Sequence, residues 1–152
     1  MTEEENIQQK LTGKFAFLEN KVRVQRPRRI FIEVSYDNFR AVFEYAVGQL
    51  GFSVLCTITG LDEVQNMGAI YHLAQPGGIT LNIKTSIPKD KPVLDTITKI
   101  FPNADIYERE IEDLFGININ GLEPGKRYPL PDDWPKGDHP LRKDWKSVDP
   151  KK

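Results

Sequence analysis

Glu108-Arg109-Glu110 sets two carboxylates within one helical turn, a spacing that inside a pocket would suit general acid–base catalysis. No glycine-rich cofactor loop accompanies them, so the catalytic reading is set against a plainer one, a solvated helix face. On the wheel of the surrounding helix Glu110 falls between Ile106 and Leu114, at the edge of the apolar arc. A carboxylate half inside a core needs a cation. The helix offers Glu110 none at i±3 or i±4, so Arg127 or Arg142 from further along is the expected partner. Asp105 and Arg109 stand i, i+4 with the acid first, the favourable orientation, and Arg109 also reaches toward Asp113.

The other residues able to do chemistry are scattered. One cysteine, Cys56, excludes an internal disulfide and any multi-cysteine zinc or iron–sulfur site built by this chain alone. His72 sits in an expected strand, where a packed or surface histidine is the ordinary finding, and His139 has no second ligand nearby. Gln75-Pro76-Gly77-Gly78 lies between two strands and reads as a turn, with no dinucleotide loop after any strand. Lys21, Arg23, Arg26, Arg28 and Arg29 form a basic run that could follow phosphates. Acidic residues elsewhere balance it, 22 against 21 basic for a net charge of -1, and no stacking platform accompanies it. Nucleic acid is therefore the remote alternative.

The elements that must position these groups belong to one α+β fold. Residues 3–12 suit a short polar helix, and Phe15 to Val24 one or two strands. Ile30, Ile32 and Val34 alternate with Phe31 and Glu33, the period of two that a strand shows. Phe39, Val42, Phe43, Ala46, Val47 and Leu50 make an apolar helical stripe, with Ser35 or Asp37 to cap its start and Gly51 to end it. Strands follow at 53–59, 68–75 and 79–87, the last two as a hairpin. Ile79, Leu81, Ile83 and Ile87 share one face of the last strand. Alternation of this kind fits an antiparallel or mixed sheet with helices packed on it. Two helices are expected at about 92–100 and 104–115, with Asn103 and Gly116 bounding the second.

After Gly116 the composition changes, dividing the chain into a 1–116 domain and a 117–152 tail. Pro124, Pro129, Pro131, Pro135, Pro140 and Pro150 keep the tail extended. Yet Trp134 and Trp145 are here too, so the tail should lie on a surface, either this domain's or a partner's. No stretch approaches the roughly 18 apolar residues of a membrane span, and the acidic start is unlike a secretory signal. A soluble intracellular domain is expected, meeting membrane only through partner subunits.

The segment Tyr107-Glu-Arg-Glu-Ile-Glu-Asp-Leu-Phe-Gly-Ile117, then Leu130-Pro-Asp-Asp-Trp134, then Pro140-Leu-Arg-Lys-Asp144, resembles the C subunit of NADH:quinone oxidoreductase, complex I. It is similar also to the counterpart subunit of energy-converting nickel–iron hydrogenases. Arg26-Pro-Arg-Arg-Ile-Phe-Ile-Glu-Val34 agrees. Asn120 to Pro124 stand where complex I members usually carry Gly-His-Pro, and Gly125 to Trp134 look closer to the hydrogenase branch. The resemblance implies a non-catalytic, peripheral, cytoplasmic-side subunit of an ion-translocating redox complex of the hydrogenase type, with the complex I equivalent as the alternative. It implies no cofactor in this chain, with nickel–iron and iron–sulfur centres in the partners, a large hydrogenase-like subunit and an iron–sulfur small subunit. The motif and interface residues it implies are Glu108, Arg109, Glu110, Asp113, Gly116, Arg127, Pro131, Asp132, Trp134, Pro140, Leu141, Arg142, Lys143, Asp144 and Trp145. The tail is expected to carry the main contact with the large subunit, Trp134 and Trp145 as anchors.

Overall fold

The computed structural model describes residues 1–147; Pro150 and the rest of the expected tail beyond 147 lie outside the described residues. The elements run α1 (Glu3–Lys14), a 3-10 turn (Ala16–Leu18), β1 (Val22–Arg26), β2 (Arg29–Glu33), α2 (Tyr36–Gly48), β3 (Val54–Asp62), β4 (Asn66–Ala74), β5 (Thr80–Pro88), β6 (Val93–Asp95), α3 (Ala104–Phe115) and β7 (Asn118–Asn120). Five strands form one sheet in the order β1-β2-β5-β4-β3, and β6 with β7 forms a second. β1 pairs with β2 antiparallel, while β2 and β5 are parallel, Ile30 beside Leu81 and Ile32 beside Ile83. The fold is therefore α+β with a mixed sheet, as the patterning implied.

The chain divides into two compact units. One comprises Met1–Thr57 with Ala69–Ser86, the other Ile58–Gly68 with the chain from Ile87 onward. In the first, α2 lays its stripe on the sheet: Phe39, Val42, Phe43 and Ala46 are buried, and the Phe39 ring centroid lies 4.6 Å from that of Tyr71 on β4. Ser35 occupies the N-cap position without a side-chain capping bond, and Gly51 takes φ 76° past the helix end. α1 has the capping box its sequence encodes, Thr2 and Glu5 satisfying each other's backbone N–H groups. His72 Nδ1 lies 2.5 Å from Asn82 Oδ1, and Asn82 Nδ2 donates to Ile30 O at 3.0 Å, so this histidine belongs to a sheet-bound network.

One expectation is narrowed and one corrected. Residues 15–24 yield one strand, since Ala16–Leu18 winds into a 3-10 turn. The helix expected at 92–100 is absent; Val93–Asp95 is a strand parallel to Asn118–Asn120. Val93, Thr96, Ile97, Thr98 and Ile100 are β-branched and favour extended backbone. Thr96 and Ile97 also hand an O–H and an N–H to α3, as described next.

Candidate subunit interface around the end of the last helix

Everything here lies in the second unit. On α3, Ala104, Glu108 and Ile111 follow i, i+4 and i+7 and are all buried. Glu108 is therefore in the middle of the apolar stripe and not on a solvated helix face. Its Oε2 accepts Thr96 Oγ1–H at 2.7 Å and its Oε1 the Ile97 N–H at 2.8 Å. One turn on, Glu112 Oε1 accepts the Ile119 N–H at 3.2 Å. The two carboxylates thus clamp the short parallel pair, one just past the end of β6 and the other on β7. Burial pushes both carboxyl groups above their ordinary range, against these hydrogen bonds. Glu110 is half-buried, and neither tail arginine turns to it.

Arg127 goes instead to Asp113. Its Nε and Nη2 donate to Asp113 Oδ1 at 3.0 and 2.7 Å, while Nη1 donates to Trp134 O at 2.8 Å. Asp113 Oδ2 takes the Leu130 N–H at 2.9 Å, and its backbone carbonyl accepts His139 Nδ1–H at 2.8 Å. Asp113 is buried. Arg109 reaches neither Asp105 nor Asp113 but donates to Glu123 O at 2.6 Å, lying so close over Gly125 that a Cβ there would meet its Cζ at 2.9 Å.

Gly116 closes α3 in the left-handed region, φ 71°. It has a second reason to be glycine, because a Cβ would meet His139 Cδ2 at 2.6 Å. The tail then returns along the helix end: Leu141 N–H donates to Leu114 O at 3.0 Å and Arg142 Nη1 to Phe115 O at 3.2 Å. Pro131 O accepts the Trp134 N–H at 2.9 Å, and Asp132 is exposed. Trp134 and Trp145, both half-buried, meet on one residue: Trp134 Nε1 donates to Asp138 O at 2.9 Å and Trp145 Nε1 to Asp138 Oδ1. Pro140 is half-buried, whereas Leu141 is 51 % exposed.

Sequence reasoning missed Asp62 and Asp138. Asp62, buried at the end of β3, accepts Lys89 Nζ on both oxygens at 3.0 and 2.8 Å, Val64 N–H at 2.9 Å and Lys143 N–H at 2.7 Å. Burial alone would raise its pKa, but Lys89 and the two N–H groups outweigh burial and bring it down to about 2. Asp144 completes the group at 3.3 Å from Arg142 and 3.9 Å from Lys89. A period-two strand ending in an acid carries no mark of this role. Asp138, flanked by two tryptophans in a proline-rich segment, was the more findable of the two.

Among the described residues no group of three or more His, Cys, Asp or Glu is placed to hold a metal, and no helix is long and apolar enough to cross a membrane. The geometry is that of a helix end fastened to a returning segment. Residues 32–151 match the family described as respiratory-chain NADH dehydrogenase, 30 Kd subunit. The chain belongs to that family. It is 36% identical over 142 residues to the C subunit of the F(420)H(2) dehydrogenase of Methanosarcina mazei, covering 91% of this chain and 89% of that one. Against the beta subunit of the membrane-bound hydrogenase of Pyrococcus furiosus it is 28% identical over 156 residues, covering 97% and 89%. A chain of the membrane-bound sulfane sulfur reductase, an archaeal respiratory membrane complex, superposes with a TM-score of 0.81 at 28% identity, covering 97% and 88%.

Proposed function

We propose that this chain is a non-catalytic, cytoplasmic-side subunit of a membrane-bound, ion-translocating redox complex of the energy-converting hydrogenase type, bracing the large hydrogenase-like subunit. Its membrane contact runs through partners, and the redox centres, nickel–iron and iron–sulfur, reside in the large subunit and an iron–sulfur small subunit. The observation that carries the reading is the alignment of nearly the whole chain with the Pyrococcus hydrogenase subunit. The chemistry of α3 supports it, because Glu108, Glu112 and Asp113 are each committed to backbone N–H groups or to Arg127. A carboxylate so engaged serves packing.

A second reading has its own support. The higher identity to the Methanosarcina subunit favours a complex I-like dehydrogenase that takes electrons from a reduced soluble cofactor. Purifying the native complex through a tag on this chain separates the two. Nickel in the co-purified large subunit and hydrogen-dependent dye reduction fit the hydrogenase type. Their absence, with dye reduction by a reduced nicotinamide or deazaflavin, fits the dehydrogenase. Recovery of the chain with no large subunit would refute both.

A further inference from the structure

The turn between β3 and β4 has a backbone its sequence does not favour. Gln65 N–H donates to Glu63 O at 2.9 Å and Glu63 N–H to Asn66 O at 2.8 Å, with Val64 at φ 72° between them. A bond from i+2 back to i around a residue of such φ is the rare, strained form of γ-turn. A β-branched side chain is among the worst occupants of positive φ, and glycine would relieve it. Nor is the valine compensated by burial, since it is 58% exposed. Strain of this kind persists where its surroundings over-determine it and gathers at functional surfaces. Here Asp62 Oδ1 fixes the Val64 N–H.

The same carboxylate holds the tail beside the turn, through Lys143 N–H on Oδ2. Val64, Gln65, Lys89, Asp90, Arg142 and Asp144 line an open concavity of about 510 Å³. Its two cations are mostly buried, Lys89 16% and Arg142 22% exposed. Lys89 is well matched by Asp62 at 2.8 Å. Arg142 is not: it has Phe115 O at 3.2 Å and Asp144 at 3.3 Å, where well-formed charged pairs lie at about 2.7–2.9 Å. Asp144, 62% exposed, therefore holds Arg142 loosely, and a better-aimed carboxylate would take its place.

We propose that the β3–β4 turn and residues 142–144 form a docking surface for a partner protein segment that presents an apolar side chain to Val64 and a carboxylate to Arg142. Charge selects that occupant, because the guanidinium offers a planar fork that a carboxylate fills and Asp144 fills badly. A polyanion such as nucleic acid fits less well beside Asp90, Asp144 and an apolar tip. The surface rests on the assembly reading above and gives it a place on this chain.

Val64→Gly in the full-length chain tests it. Glycine relaxes the turn, so the isolated variant should melt at the wild-type temperature or above. In the complex purified through this chain, the large subunit, identified by mass spectrometry, should be held about tenfold more weakly in a salt titration, the scale of one lost apolar contact. Asp144→Asn removes the competing carboxylate and should hold it as tightly as wild type or more tightly. Retention by wild type and Val64→Gly alike would overturn the surface while leaving the assembly reading intact, and weaker retention by Asp144→Asn would overturn the carboxylate exchange. A wild-type chain that retains no large subunit would overturn the assembly reading, and the surface with it.

Discussion

Asp62→Asn should cost the second unit about 2–3 kcal/mol at neutral pH, and that loss should vanish in acid. The asparagine keeps the shape and one acceptor oxygen but turns an NH₂ toward groups that are themselves donors, Lys89 Nζ or the Lys143 N–H. The pKa of about 2, against an ordinary 3.8, bounds the charge contribution at about 2.5 kcal/mol by linkage. Solvent screening around a group close to the surface reduces that to about 1–2 kcal/mol. An N–H left facing a donor adds roughly 1 kcal/mol. For a chain of this size the total corresponds to a melting shift of roughly 4–12 °C. The sign follows from the depressed pKa: the stabilisation is complete above the unfolded value and is lost as pH falls through about 2. Both tryptophans lie in this unit, so a fluorescence melt reports on it directly. Wild type and variant should differ most at pH 5–7 and converge between about pH 4 and 2. A difference that stays constant down to pH 2, or none at pH 7, would refute the reasoning.

Other substitutions follow from the same contacts. Glu108→Ala strands the Ile97 N–H and should cost about 2–3 kcal/mol, whereas Glu110→Ala should change a urea midpoint little. Glu108→Gln keeps the Ile97 N–H bond on its one oxygen and turns its NH₂ to Thr96 Oγ1, which then accepts where it had donated. Because burial raises the Glu108 pKa, ionisation weakens the fold as pH rises through that value, so Gln should match or exceed wild type at pH 7 and flatten the pH profile. Arg127→Ala leaves buried Asp113 without its cation and should cost about 2–4 kcal/mol by tryptophan fluorescence. Deleting 126–152 should go further and abolish the cooperative melt of the second unit in circular dichroism, while a truncated chain that melts like wild type would return the tail to a purely intermolecular role.

What was legible in the sequence depended on range and length. α2 and β5 repeat their patterns over several turns or residue pairs, and burial in the structure follows Phe39, Val42, Phe43 and Ala46, then Leu81 and Ile83. β6 and β7 have three residues each, too few for a period to register. The α3 helix was legible, but Glu108 was read as part of a solvated face or a catalytic pair, whereas it lies on the buried line. Glu108 occupies that line since Thr96 and Ile97 supply its hydrogen bonds from outside the helix. Asp62 was out of reach altogether: its partners stand 27 and 81 residues further along the chain, and only the folded structure brings them together.

The two roles weighed for the tail, a strap on its own domain and a strip for a partner, call on different atoms. A helix leaves its last carbonyls without intrahelical donors and gathers negative potential at that end. On α3 those of Asp113, Leu114 and Phe115 are taken by His139 Nδ1, Leu141 N and Arg142 Nη1. The tail backbone and one cation thus serve as the cap of the helix. Leu141 and Lys143 turn their N–H groups inward, to Leu114 O and Asp62, while Leu141 leaves half its surface exposed and Lys143 is exposed. A partner meeting those outward groups finds a segment whose ordering entropy is already spent on the helix end, which raises affinity without adding a contact. On the proposed assembly reading, capping and docking are then coupled. Weakening the Asp113–Arg127 pair should lower the affinity for a partner through the same disorder that lowers stability, with Leu141 and Lys143 themselves unchanged.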